Sequence, residues 1–344
     1  MGAITPGAPV LKSPLVACLW ITERCNLQCS YCYAYPARFV DMPSDRMLKL
    51  AEELIDMEVF DVTVAGGEPF LHPGVFSLID RLLTGGINLG VLSNGTLLTA
   101  AKIHELTDTV AGREHFLLQV SLDDLDPSRN DLTRGHGRQV RENLDRLCSE
   151  TELRLQIATV ITVHNIDHIV DIIRAYYPRV KRYHIMNLQR TAASLRYPEL
   201  FPAPERNEMF WESLEETMKS MPSDILVTGL NLMRLMSRMA RDPDGNRPGS
   251  SFRCPSCTAG HTHVEITAAL DVIGCDIAKD FSIMGNLEHA TFSEIWNSER
   301  ANMVRSYPFP PCYYVTDTGG NCLAAGLSPD MRLLGDSIRE KCRY

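Results

Sequence analysis

Near the start of the chain, Cys25-Asn26-Leu27-Gln28-Cys29-Ser30-Tyr31-Cys32 sets three thiols on one short loop with C-x3-C-x2-C spacing. A structural zinc ion wants four ligands. Three thiolates on a cubic iron–sulfur cluster leave one iron open to a ligand from outside the protein. On spacing alone, the alternatives are a zinc site with a distant fourth ligand and unligated core cysteines. A second group is Cys254-Pro255-Ser256-Cys257, followed by Cys275, Cys312 and Cys322. Its C-x2-C pair is of the metal-binding kind, with a zinc ribbon as the alternative. Cys18, Cys148 and Cys342 stand alone. Cys18 and Cys148 read as small buried hydrophobes, and Cys342 lies near the chain end. The chain thus offers two metal regions some 220 residues apart.

The elements that must position these thiols alternate. Apolar, β-branched runs at 15–21, 59–65, 87–92, 115–122, 153–163 and 180–188 read as strands. Helices are expected to start at Pro43-Ser44-Asp45 and over 74–84, 97–110, 137–149 and 166–176. Strand–helix alternation implies βαβ units and a parallel sheet. Six such units by about residue 220 are too few for a closed eight-unit barrel. The expected fold is therefore α/β, a partial (β/α)6 barrel with its chemistry at the C-terminal strand ends. Polar groups recur there: Thr22-Glu23, Gly66-Gly67-Glu68, Ser93-Asn94, Ser121-Leu122-Asp123 and Asn187-Leu188-Gln189. Any one of these is also what a turn requires, but their recurrence at one rim marks a site. Glu23, His184, Asn187, Gln189 and Arg190 are unranked candidates for substrate contact. His261 and His263 read as turn residues, and Met233, Met236 and Met239 as core.

The chain has 344 residues with a formal net charge of −9. That charge argues against a broad nucleic-acid surface. No apolar run reaches the length of a membrane span, and the N-terminus lacks a secretory signal pattern. A cytoplasmic enzyme is expected, with no nucleic-acid or membrane partner. The domain reading is a leader at 1–14, a barrel at 15–220, a connector at 221–250 and a Cys-rich domain at 251–344. Within the connector, Leu226 to Met239 is expected to be helical, and 242–251 reads as a linker.

The first motif resembles the cluster-binding loop of the radical S-adenosylmethionine (radical SAM) superfamily, C-x3-C-x-aromatic-C, with Tyr31 as the aromatic. Gly66-Gly67-Glu68-Pro69 resembles that family's GGEP segment. Ser93-Asn94-Gly95-Thr96 resembles its TNGT, with Ser for Thr. Ser121-Leu122-Asp123 resembles its SLDG, with Asp124 in place of Gly, and Leu132-Thr133-Arg134-Gly135 a following xxRG. The ordered set covers residues 15–190. The resemblance implies that Cys25, Cys29 and Cys32 hold a [4Fe-4S] cluster whose open iron is chelated by S-adenosylmethionine. It further implies that Gly66, Gly67 and Glu68 bind the amino group, and that Asn94, Ser121 and Arg134 contact ribose and carboxylate. One electron from an external reductant of flavodoxin or ferredoxin type would cleave the sulfonium to methionine and a 5′-deoxyadenosyl radical, which takes a hydrogen atom from substrate.

Cys257-Thr258-Ala259-Gly260 with Cys275, Gly285-Asn286-Leu287 and Glu294-Ile295-Trp296 resembles the SPASM/Twitch extension of the same superfamily. The sequence departs from the full pattern at Leu270, Val315 and Gly326. Two full auxiliary clusters need about eight thiolates, more than this region holds. One auxiliary [4Fe-4S] cluster is therefore expected, on Cys254, Cys257, Cys275 and Cys322, with Cys312 as the substitute for Cys254.

Such extensions occur in peptide maturases, sulfatase-activating enzymes and enzymes acting on small polar natural products. With only a short segment before the first strand, no leader-peptide recognition domain is expected there. The leading expectation is oxidation of a secondary alcohol in an aminoglycoside or cyclitol, the auxiliary cluster taking the second electron. The alternative is a peptide maturase or epimerase, with Cys312 as the hydrogen-donating thiol. A non-catalytic iron–sulfur protein is the remaining class.

Overall fold

The computed structural model describes residues 11–32, 39–188, 194–228, 260–275, 279 and 282–306. These fall into two compact units, one built on 15–228 with 266–270, the other on the remaining described segments.

The larger unit is a parallel sheet of strands β1 (Val16–Trp20), β2 (Asp61–Ala65), β3 (Asn88–Ser93), β4 (Phe116–Ser121), β5 (Leu155–Ile161), β6 (Arg182–Asn187) and β7 (Leu226–Thr228), paired in that order. Helices α1 (Ser44–Asp56), α2 (Val75–Thr84), α3 (Ala100–Thr109), α4 (Pro127–Asp131), α5 (Gly137–Glu150), α6 (Ile169–Tyr176) and α7 (Pro204–Ser220) make the connections. Each helix carries its apolar residues at helical spacing: Met47, Leu50, Ala51 and Leu54 on α1, and Val75, Leu78, Ile79, Leu82 and Leu83 on α2 are all buried.

Burial alternates along the strands. Ala17, Leu19, Val62, Val64, Leu89, Val91, Leu118, Val120, Tyr183 and Ile185 face the core. The Tyr183 hydroxyl donates to the Ile173 carbonyl of α6, which fixes this as the helix-covered face. The opposite, inner face carries half-buried Cys18, Trp20, Gln119, Ser121, Gln156, Arg182 and His184. Because all seven strands run one way, the loops that follow them gather at one rim.

The strand–helix order through Asn187 follows the periodicity, and the structure is the α/β partial barrel that periodicity implies. Two local features depart from it. Leu226–Thr228, expected to be helical, is strand β7; the open edge of β6 captures it, with Leu226 N–H donating to Lys181 O at 2.7 Å. The larger unit therefore runs to Thr228 rather than residue 220. The rest of the expected helix, 229–239, lies outside the described residues. Helix α4 is too short for periodicity to reveal; Pro127 at its first turn and the Asp126 cap, accepting from Ser128 N–H at 2.9 Å, build it.

The smaller unit holds strand β8 (His263–Ile266) as far as Glu265, strands β9 (Asp271–Ile273) and β10 (Ile283–Asn286), which are antiparallel, and helices α8 (Phe292–Trp296) and α9 (Glu299–Ser306). Thr291 and Glu294 cap α8 reciprocally. Trp296 is fully buried; its Nε1–H donates to Leu11 O at 2.8 Å and the Arg305 guanidinium lies 4.0 Å over its ring.

Candidate functional site

The loop after β1 is held at both ends. Thr22 Oγ1 donates to Asp41 Oδ1 at 2.5 Å, and Arg24 pairs with the same carboxylate at 2.6 Å while donating to Leu71 O. Burial alone would raise the Asp41 carboxyl, but the donors from Arg24 and Thr22 outweigh it and hold it below its usual range. Within the loop, Cys32 N–H donates to Cys29 O at 3.0 Å, turning the chain so that Cys29 and Cys32 share a side.

The segment after β2 lies against this loop at backbone distance. Gly67 N–H donates to Thr22 O at 2.7 Å and Glu68 N–H to Arg24 O at 2.8 Å. A Cβ on Gly67 would stand 2.1 Å from Arg24 O, and one on Gly66, whose φ is +147°, 2.3 Å from Thr22 O. Only glycine fits at either position.

Glu68 is fully buried, and its side chain turns toward β3. Its carboxylate accepts from Ser93 Oγ (2.9 Å), Asn94 N–H (2.7 Å) and Phe70 N–H (3.2 Å). Burial pushes the carboxyl up to about 7, against the downward pull of those three donors and of Lys102. The side chain is thus a clamp between two rim loops. Asn94 is committed likewise. Its Nδ2 donates to Asn26 Oδ1 at 2.9 Å and lies 3.7 Å from Cys25 Sγ, while its Oδ1 accepts from Thr96. Asn26 Nδ2 closes the ring by donating to Thr96 Oγ1 at 2.7 Å.

The far end of the loop is tied to β4. The buried Tyr31 hydroxyl donates to Asp123 Oδ2. Asp123 also accepts from Val160 N–H and Thr133 Oγ1, and Arg134 Nε stands 3.0 Å from Oδ2. Burial pulls the Arg134 guanidinium down, but Asp123, Tyr31 and Cys29 together raise it above its ordinary value. Arg134 also lies over the Tyr31 ring at 5.5 Å, and its terminal nitrogens have no partner among the described residues. Ser121 is half-buried on the inner face, one layer below Asp123. Among the rim groups read from sequence, the structure therefore joins Cys25, Cys29, Cys32, Gly66, Gly67, Glu68, Asn94 and Arg134 into one network. Tyr31 and Asp123 were visible as motif letters only; that their side chains meet is set by tertiary packing.

Cys25, Cys29 and Cys32 are half-buried and outside any disulfide. Burial raises the Cys25 thiol and pushes Cys29 up to about 11, and Cys29 feels the charges of both other thiols. Among the described residues, no three His, Cys, Asp or Glu side chains converge tightly enough for a single ion. A cubic cluster asks for something else: three thiols on separate irons, with amide N–H groups near sulfur. Leu27 N–H, 3.4 Å from Cys25 Sγ, and Asn94 Nδ2 supply the amides. The residues fit such a group.

In the smaller unit, half-buried Cys275 follows β9, its backbone bonded in both directions to Ser282 Oγ at 3.1 and 2.9 Å. Cys254, Cys257, Cys312 and Cys322 lie outside the described residues, as do Gln189 and Arg190. No helix among the described residues is long and apolar enough to cross a membrane.

Residues 20–176 match the family model of the radical SAM superfamily, and residues 257–317 that of the iron–sulfur cluster-binding domain SPASM. The second span contains Cys257, Cys275 and Cys312 but neither Cys254 nor Cys322. The mycofactocin maturase MftC of Mycolicibacterium smegmatis is 24% identical over 92% of this chain and 79% of its own length. The antilisterial bacteriocin subtilosin biosynthesis protein AlbA of Bacillus subtilis is 24% identical over 86% of this chain and 62% of its own. Among solved structures, Streptococcus suis SuiB shares the fold. Bound to S-adenosylmethionine it gives a TM-score of 0.71 at 15% identity, over 87% of this chain and 69% of SuiB. Bound to the precursor peptide SuiA it gives 0.70 at 17% identity, over 87% and 68%.

Two outcomes follow from the geometry. Gly67→Ala forces the β2 rim off the loop, because its nearest contacts are backbone atoms; it is expected to cost roughly 3 kcal/mol and to lower bound iron. Gly90→Ala, whose Cβ would meet only Thr63 Oγ1 at 3.8 Å, is the control expected to keep both. Iron analysis and thermal unfolding check this, and equal iron in the two variants would contradict it. The Glu68 carboxyl moves from 4.5 to about 7 on folding. Between those values the folded chain holds a proton that the unfolded chain has released. The stabilisation is complete below pH 4.5, falls as pH rises through about 7, and amounts to about 3 kcal/mol in all. Denaturation of wild type and Glu68→Gln across this range is expected to show the fall in wild type alone; parallel profiles would contradict it.

Proposed function

We propose that this chain, which belongs to the radical SAM superfamily and carries a SPASM-type iron–sulfur extension, is a maturase that modifies a peptide after hydrogen-atom abstraction. The superfamily's cofactors are a [4Fe-4S] cluster and S-adenosylmethionine, with auxiliary iron–sulfur clusters in the SPASM extension. Together the cluster and S-adenosylmethionine supply a 5′-deoxyadenosyl radical, once an external one-electron donor of flavodoxin or ferredoxin type provides the electron.

In this reading Cys25, Cys29 and Cys32 hold three irons. The Gly66–Gly67 backbone, kept bare of side chains, and the main chain of Glu68 receive the amino group, since the Glu68 carboxylate is already engaged. Arg134 offers its two terminal nitrogens to the carboxylate while Asp123 holds Nε, a planar fork that suits bidentate binding. Asn94 and Ser121 face the ribose. One auxiliary cluster is assigned to Cys257 and Cys275, with the further thiols drawn from Cys254, Cys312 and Cys322.

The peptide substrate rests on one observation: MftC, a mycofactocin maturase, and AlbA, a bacteriocin biosynthesis protein, resemble this chain across both domains. SuiB, with the same fold, has been seen with a precursor peptide. Oxidation of an aminoglycoside or cyclitol gives way to this reading. It leaned on the short segment before the first strand and on the number of C-terminal cysteines, and the latter bears on cluster count and not on what enters the barrel.

The reconstituted protein, given reductant, S-adenosylmethionine and the short peptides encoded beside its gene, is expected to form 5′-deoxyadenosine and to change the mass of one peptide. Replacing Cys25, Cys29 and Cys32 by Ala is expected to reduce both to background. Formation of 5′-deoxyadenosine with every peptide unchanged, alongside oxidation of an added cyclitol, would overturn the peptide reading.

A further inference from the structure

A parallel sheet covered on both faces carries near-continuous apolar strands. The inner face of β4, β5 and β6 does not. Gln119, Gln156 and Arg182 are register partners in turn and stand in one row across the three strands. Adjacent strands lie about 4.8 Å apart, so their side chains are neighbours. The next row toward the rim holds Ser121, Ala158, His184 and Thr228.

Most of these polar groups have partners. Gln156 Nε2 donates to Gln119 Oε1 at 2.7 Å, and His184 Nδ1 lies 2.9 Å from Thr228 Oγ1. Arg182 does not. Among the described residues its guanidinium makes no hydrogen bond and no ion pair, and its Nε is buried without an acceptor. Arg134 Nε makes no hydrogen bond either, but it has the Asp123 carboxylate at 3.0 Å, and Arg305 donates to the carbonyls of Gly260 and Trp296 at 2.7 Å. Only Nε of the Arg182 guanidinium is buried, and the carboxylate of a ligand would supply the acceptor it lacks.

We propose that Arg182, beside the Gln156–Gln119 amide pair on the inner wall of the barrel, is a subsite for a carboxylate of the substrate. The Gln119 amide keeps two N–H donors with no acceptor among the described residues, which extends the fork of Arg182 along the row. The assignment rests on the peptide reading, because the anions of an unmodified peptide are its C-terminal carboxylate and its Asp and Glu side chains. Arg182 opens β6, one inward-facing position below His184 and two below Met186 at the rim, on the same wall as Ser121. It would anchor one end of the peptide and leave the reacting residue nearer the cluster loop.

Calorimetric titration of the full-length, cluster-loaded protein with three probes tests this: N-acetyl-trialanine, its C-terminal amide, and the N-acetylated, amidated tripeptide with Glu at its centre. One acid probe is expected to bind at least about tenfold more tightly than the neutral amide, and which one does so separates a terminal from a side-chain carboxylate. Arg182→Gln is expected to remove that preference and Arg182→Lys to keep part of it, with iron content and thermal unfolding unchanged. Equal binding of acid and amide probes by the wild type overturns the proposal, whether or not the variants fold. So does an acid preference that survives in Arg182→Gln. Mass analysis of turned-over peptide tests the maturase reading separately, since a peptide modified without any acid preference keeps that reading and removes the subsite.

Discussion

Between the β2 rim and the loop that carries Cys25 there is room for backbone and nothing more. Gly66 and Gly67 press against Thr22, Arg24 and Cys25 at distances no side chain allows, and two main-chain hydrogen bonds seal the contact. The position of the first thiol is thereby set by the sheet and not by the loop. Everything else at the rim builds on that. Glu68 follows directly and reaches sideways to the β3 loop. Asn94, held there, reaches back to Asn26 and the Cys25 sulfur. The result is a closed circuit through the ends of β1, β2 and β3.

Charge completes what packing begins. Asp123 is nearly inaccessible, so its carboxylate needs compensation on several sides. Tyr31, Thr133, the Val160 amide and Arg134 provide it. Tyr31 is the loop's own residue, so the same carboxylate that neutralises Arg134 also fastens the loop to β4. Tyr31 packs with Val160, Leu188 and Leu200, and Cys29 and Met186 lean on that cluster. The second thiol thus sits against an apolar wall, while Cys25 is flanked by amides. The two sulfurs meet different surroundings on one short loop.

The strands were legible because each is a short apolar or β-branched run, and because Gly, Ser-Asn or Asp punctuates several of the strand ends. The thiol loop was legible from spacing and the glycine pair from its place after a strand. Leu226–Thr228 was not, since three residues beside helix-forming ones carry no period of their own and the open edge of β6 decides their state. The inward turn of Glu68, the meeting of Tyr31 with Asp123 and the solitary guanidinium of Arg182 are equally invisible in one dimension. Each depends on residues 25 to 92 positions away, or on the absence of any such partner. Substrate class is not legible for a related reason: cysteine count reports on clusters, whereas the shape and charge of the inner wall decide what binds.

The central claim is that three thiols hold a cluster with one iron left for S-adenosylmethionine. Electron–nuclear double resonance on the singly reduced protein tests it most directly, using S-adenosylmethionine labelled with nitrogen-15 at its amino group. The account predicts a nitrogen-15 coupling on the cluster signal, present in the wild type and lost when Cys25, Cys29 and Cys32 are alanine. A cluster spectrum indifferent to S-adenosylmethionine, or a coupling that persists in the alanine protein, would contradict it.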